Sequence, residues 1–152
     1  MKRYLLFALV GPFLGGFCLL LVTTYQSGYW SHPPSAGEVG KLLTFFFTTL
    51  QYSYLFGLLP ALMIAAIEDI LSHVKRIGPT WRILIVGVIA FFAAELLYGS
   101  RGQDAGLFQF IMFGLVGFIP GTVSAWLVHR FVEEPARAAP AHEDGGQNVP
   151  AA

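Results

Sequence analysis

The chain is short of charge and almost devoid of cysteine. Only 12% of its residues are Asp, Glu, Lys or Arg, and nine cations balance nine carboxylates to a formal net charge of zero. Ordinary soluble domains carry about 25% charged residues, so this surface is not built for water. With no excess of positive charge, the chain offers no electrostatic footprint to a nucleic-acid partner. Cys18 is the single cysteine, which excludes an intrachain disulfide and leaves a small packing residue in an apolar run. Reactive constellations are missing as well. No serine sits in a Gly-x-Ser-x-Gly elbow, and no phosphate-binding loop occurs. The four histidines, His32, His73, His129 and His142, are too dispersed along the chain for a metal site. The expectation is a protein without enzymatic chemistry and without a cofactor.

What the chain has instead is long apolar runs. They cover residues 4–24, 42–67, 83–98 and 107–128. A helix rises about 1.5 Å per residue, so roughly 20 residues cross the ~30 Å hydrocarbon layer of a bilayer. The third run is short, but Trp81, Arg82 and Tyr98 at its ends suit the headgroup region. The predicted fold is all-α: a transmembrane bundle of four helices over residues 1–132, with 133–152 as a disordered polar tail. Lys2-Arg3 before an apolar run resembles a secretory signal. The run is longer than a signal core and lacks a small-x-small site, so an uncleaved first span is expected.

The placement of cations predicts orientation. Lys2, Arg3, Lys75, Arg76, Arg82, Arg130 and Arg137 fall at one set of span ends, against Lys41 and Arg101 at the other. Loops rich in Lys and Arg stay in the cytoplasm, so both termini are expected there.

The second and fourth runs share a pattern. Gly57-Leu-Leu-Pro60-Ala61-Leu-Met-Ile-Ala65 aligns without gaps on Gly117-Phe-Ile-Pro120-Gly121-Thr-Val-Ser-Ala125. Parallel segments that match in this way predict two helical hairpins related by an axis along the membrane normal. The recurrence of Gly, Pro and Ala in membrane helices is the competing explanation. In either case Gly57, Ala61 and Ala65, and likewise Gly117, Gly121 and Ala125, form small-residue stripes that let helix backbones approach closely. Gly11 with Gly15, and Ala90 with Ala94, supply similar faces on the other runs. In the first run Pro12 requires a neighbouring helix to satisfy the carbonyl it frees.

Polar residues within the runs are few. Four residues further along the two stripes come Asp69 and His129, a candidate polar pair at one end of the bundle. Interfacial charges with basic neighbours are the plainer reading of both. Glu95 is expected to pair with Arg101 or Lys41, and Gln51 to make an interhelical hydrogen bond.

Three segments carry a family resemblance: Met1-Lys-Arg-Tyr-Leu-Leu-Phe-Ala-Leu-Val-Gly-Pro12, Phe56-Gly-Leu-Leu-Pro60-Ala61 and Phe113-Gly-Leu-Val-Gly117-Phe-Ile-Pro120. They resemble small alphaproteobacterial four-helix membrane proteins that form a domain-of-unknown-function family. The resemblance covers about residues 1–132. It implies a bacterial inner-membrane location and no assigned activity. The sequence therefore points to the lipid bilayer as solvent and to a structural or accessory role, in a homo-oligomer or a larger membrane complex. A homo-oligomeric small-solute or ion transporter or channel is the alternative. A membrane enzyme acting on lipid would have only Glu68, Asp69 and His129 to work with.

Overall fold

The computed structural model describes residues 1–74, 76–99 and 106–135. Four helices make up almost all of it: α1 Lys2–Gln26, α2 Ala36–Ser72, α3 Pro79–Ala94 and α4 Leu107–Val128. Each, with its terminal extension, is long and apolar enough to cross a membrane. The fold is the all-α bundle of four candidate spans that the apolar runs predict. The polar tail expected over 133–152 lies outside the described residues from 136 onward. Its first three positions continue α4 as helix.

The ends of the helices follow local chemistry. Ser35 caps α2, taking a hydrogen bond from the Glu38 amide while the Glu38 carboxylate accepts from the Ser35 amide at 2.7 Å. This reciprocal arrangement satisfies two donors that a helix start otherwise leaves free. Pro79 opens α3, where a missing N–H costs nothing. Two helices end in π-helical turns, Glu95–Gly99 after α3 and His129–Glu133 after α4. At 37 residues α2 is about 55 Å long, well beyond the ~30 Å that a membrane span needs.

In the bundle, α1 packs against α2 and α4, and α3 packs tightly against α4 but only loosely against α2. That leaves α1 opposite α3 and α2 opposite α4. The two small-residue stripes consequently do not face each other. Gly57 and Ala61 of α2 meet Pro12 and Gly11 of α1, while Gly117 and Gly121 of α4 meet Ala90 and Ala94 of α3. A β-carbon added at Gly117 would overlap the backbone carbonyl of Ala90, so only glycine allows α3 and α4 to come this close. Ala65 and Ala125 complete the stripes and are fully buried. Large apolar side chains such as Leu5, Leu55, Phe56 and Phe131 point outward instead. Small residues at the helix contacts and many large ones outward suit a bundle in lipid, where burial of Leu or Phe brings no hydrophobic gain, although Phe7, Phe46 and Phe113 are buried.

Pro12 sits inside α1 without a break. Two hydroxyls of α2 reach across to the adjoining turn: Tyr54 donates to the Leu9 carbonyl at 2.7 Å and Ser53 to the Pro12 carbonyl at 3.2 Å. These bonds tie α2 to the proline turn of α1, while the carbonyl that Pro12 frees is that of Ala8, four residues earlier, which neither hydroxyl reaches. The interhelical bond expected of Gln51 is made by these neighbours, because Gln51 itself is exposed.

Candidate functional site

The charged residues gather at the end of the bundle where α1 starts and α2 finishes. Each helix supplies one member. Arg3 comes from α1, Glu68 from α2, Arg82 from α3 and Glu133 from the π turn beyond α4. They form a closed ring of alternating sign. The Arg82 Nε lies 3.2 Å from Glu68 Oε1, and its Nη2 donates to Glu133 Oε2 at 2.6 Å. Arg3 closes the circuit at 3.0 Å from Glu133 Oε1 and 3.5 Å from Glu68 Oε2. Cations stand on the opposed helices α1 and α3, carboxylates on the opposed helices α2 and α4.

Three of the four members are out of solvent: Glu68 is 0%, Arg82 4% and Glu133 6% exposed. Stripping water from such groups costs several kcal/mol per ion, and only close pairing on more than one side offsets it. Each member lies within ion-pair distance of two charges of opposite sign. Arg82 Nη2 to Glu133 is the one hydrogen bond between ring members among the described residues, and both Glu68 oxygens, Arg82 Nε and Glu133 Oε1 are held by charge alone. Directly against it lies the apolar floor of the bundle, where Phe7, Ile64, Ala65, Val86, Ala125 and Val128 pack together.

Asp69 and His129 both join this network, by separate routes. Asp69 is reached by Arg3 at 3.4 Å and by the Tyr4 hydroxyl at 3.5 Å. His129 Nδ1 lies 3.0 Å from Glu133, and its Nε2 lies 3.9 Å from Glu134. No ion pair joins Asp69 to His129 among the described residues; Arg3 and Glu133 stand between them in the chain of contacts. Sequence reasoning passed over the ring itself. Glu133 falls in the residues assigned to the tail, yet it is buried and central. A signal was present in the spacing of His129 to Glu133 and Arg130 to Glu134, each four residues apart, which is the helical pairing distance.

At the other end of α3, Oε1 of Glu95 is buried and has no hydrogen-bond partner among the described residues. Arg101, one of its two expected partners, lies outside them.

Beyond the apolar floor the helices border a half-open cavity of about 750 Å³. Its walls come from all four helices, with Gly11, Gly15 and Gly16 on α1 and Gly117, Pro120 and Gly121 on α4. No Asp, Glu, Lys, Arg or His lines it. It opens sideways, where α2 and α3 pack loosely and where Phe56, Leu59 and Leu97 of its rim are exposed.

Two comparisons find no counterpart: no curated protein and no solved structure is significantly similar to the chain. One family model matches residues 1–134, and its description is a family of unknown function, DUF5413. The matched region ends one residue past Glu133, so it includes all four members of the charge ring.

Proposed function

The chain belongs to the DUF5413 family of unknown function, and from that premise and its own geometry we propose a small integral membrane protein that acts by packing. In this reading it is a structural or accessory subunit, associated with itself or with a larger membrane complex, and it performs no enzymatic chemistry. The observation that carries the proposal is the charge ring. Arg3, Glu68, Arg82 and Glu133 are paired with one another in holding four helices together, so the charge gathered at this end of the bundle serves packing. The family resemblance supports a bacterial inner membrane as the location. The cation distribution supports an orientation with both termini, and with them the ring, on the cytoplasmic side.

The cavity favours a second reading, a homo-oligomeric small-solute or ion transporter. Its walls carry no charged side chain and are mostly apolar with a few Thr, Ser and Tyr hydroxyls, which suits a small uncharged solute better than an ion. Native mass spectrometry of the protein extracted in mild detergent tests the first reading. The expected result is a homo-oligomer or a complex of fixed stoichiometry. A monomer under every extraction condition that keeps the helices folded would overturn it.

A further inference from the structure

We propose that the cavity is a lipid site, which takes one acyl chain of a bilayer phospholipid sideways between α2 and α3. The inference goes beyond the subunit reading and stands on separate observations.

Depth is the first. Thr23 and Tyr98 lie on the cavity wall towards the end away from the charge ring. Thr23 is 20 residues from Arg3, and Tyr98 is 16 residues from Arg82. At about 1.5 Å per residue these separations are roughly 24–30 Å, the thickness of the hydrocarbon layer. With the ring at one interface, these hydroxyl-bearing residues therefore stand near the other. There they meet the ester groups of the nearer leaflet, while the cavity below them runs alongside its acyl chains.

Chemistry is the second. Between the hydroxyl rim and the floor the walls are mostly Gly, Ala, Pro, Leu and Phe. The Thr49 and Ser53 hydroxyls on the wall donate to backbone carbonyls. Ser124 Oγ is then the one buried polar side-chain atom of the lining without a partner among the described residues, too few for a water that needs two to four polar partners. Left empty, it would forfeit dispersion contacts along its whole lining. Its volume falls in the range of about 300–1,000 Å³ found for pockets that enclose small ligands. The floor is closed by Phe7 and Ile64, 1% and 8% exposed, so the chain enters by the side and stops there.

The test uses vesicles of phosphatidylethanolamine and phosphatidylglycerol, doped with a phosphatidylcholine that bears a diazirine on one acyl chain. After irradiation the adducts are mapped by peptide mass spectrometry. Val116 is 4% exposed and lines the cavity, so a chain on the outer surface does not reach it. Adducts are expected on Val116 and Leu19 as well as on the outward Leu55. The double variant Gly15→Leu, Ala93→Leu narrows the cavity and should lower Val116 adducts about fivefold or more, with Leu55 adducts unchanged. Adducts confined to outward residues of the parent would overturn the proposal, whether or not the variant folds. So would Val116 labelling that is indifferent to the filled cavity. A third overturning result is rapid reaction of Ala93→Cys, in a Cys18→Ala background, with a membrane-impermeant maleimide, because that marks water in the cavity. None of these outcomes bears on stoichiometry, which decides the subunit reading independently.

Discussion

Glu68 and Asp69 are neighbours in the chain and lead opposite lives: the first is wholly buried between two guanidinium groups, the second has a side chain 36% exposed and reached by Arg3 and Tyr4. Helical phase accounts for the difference. Seven residues beyond Ala61 the helix has turned about 700°, only 20° short of two full turns, so Glu68 continues the buried face of Ala61, Ile64 and Ala65. One residue later the side chain has swung about 100° away.

Neutralising the two carboxylates should therefore have unequal effects. Glu68→Gln leaves Arg82 without one of its partners in a dry site and should cost about 3–5 kcal/mol. Asp69→Asn should cost about 0–1 kcal/mol, as for an exposed pair. Denaturation in detergent micelles measures both. Equal losses would contradict the assigned burial.

Ring members should be far from additive. Arg82→Met strands two carboxylates and is expected to be as damaging as Glu68→Gln or worse. Replacing all four with apolar residues (Arg3→Met, Glu68→Leu, Arg82→Met, Glu133→Leu) removes the stranded charges, and most of the lost melting temperature should return. If the fourfold variant were less stable than Arg82→Met alone, the ring would be worth more than its desolvation cost.

Two glycine-to-alanine changes should differ in sign. At Gly15 a β-carbon would sit 3.8 Å from the Pro120 ring, an ordinary contact, so Gly15→Ala should be neutral or stabilise by up to about 1 kcal/mol through helix propensity. At Gly117 it would strike the Ala90 carbonyl, part of a backbone that has no rotamer to change. Gly117→Ala should cost about 1–3 kcal/mol from overpacking, despite the same propensity gain. Thermal melts of the pair would show whether α3 and α4 are really this close.

Orientation is open to a direct assay. Alkaline phosphatase fused after Ser35 should be active, and fused after Arg76 inactive, because the enzyme folds only on the side away from the cytoplasm. The reverse pattern would place the charge ring outside.

The spans were legible because each is a run of residues that hydrocarbon tolerates, and α4 begins and ends where its apolar run does, at Leu107 and Val128. The small-residue contacts were legible as stripes but not as pairings. Gly57 and Gly117 carry the same local pattern, and nothing in it says that one faces Pro12 and the other Ala90. The charge ring was the least legible feature. Stepping by fours from Gly57 or Gly117 leads to Asp69 and His129, but each step of four overshoots a full turn by about 40°, so the line drifts off the buried face. Glu133 was harder still. A π turn closes over five residues, so from Val128 it returns the chain to the buried face at Glu133, a periodicity that α-helical counting does not anticipate.

The charge ring also sets the vertical alignment of the helices. Apolar helices in lipid slide along one another at little cost, because every depth of the hydrocarbon is an equivalent solvent. A ring with one member per helix removes that freedom. Moving any one helix by a single turn, about 5.4 Å, carries its charge out of reach of both neighbours at once. The four candidate spans then share one common height, set by Arg3, Glu68, Arg82 and Glu133.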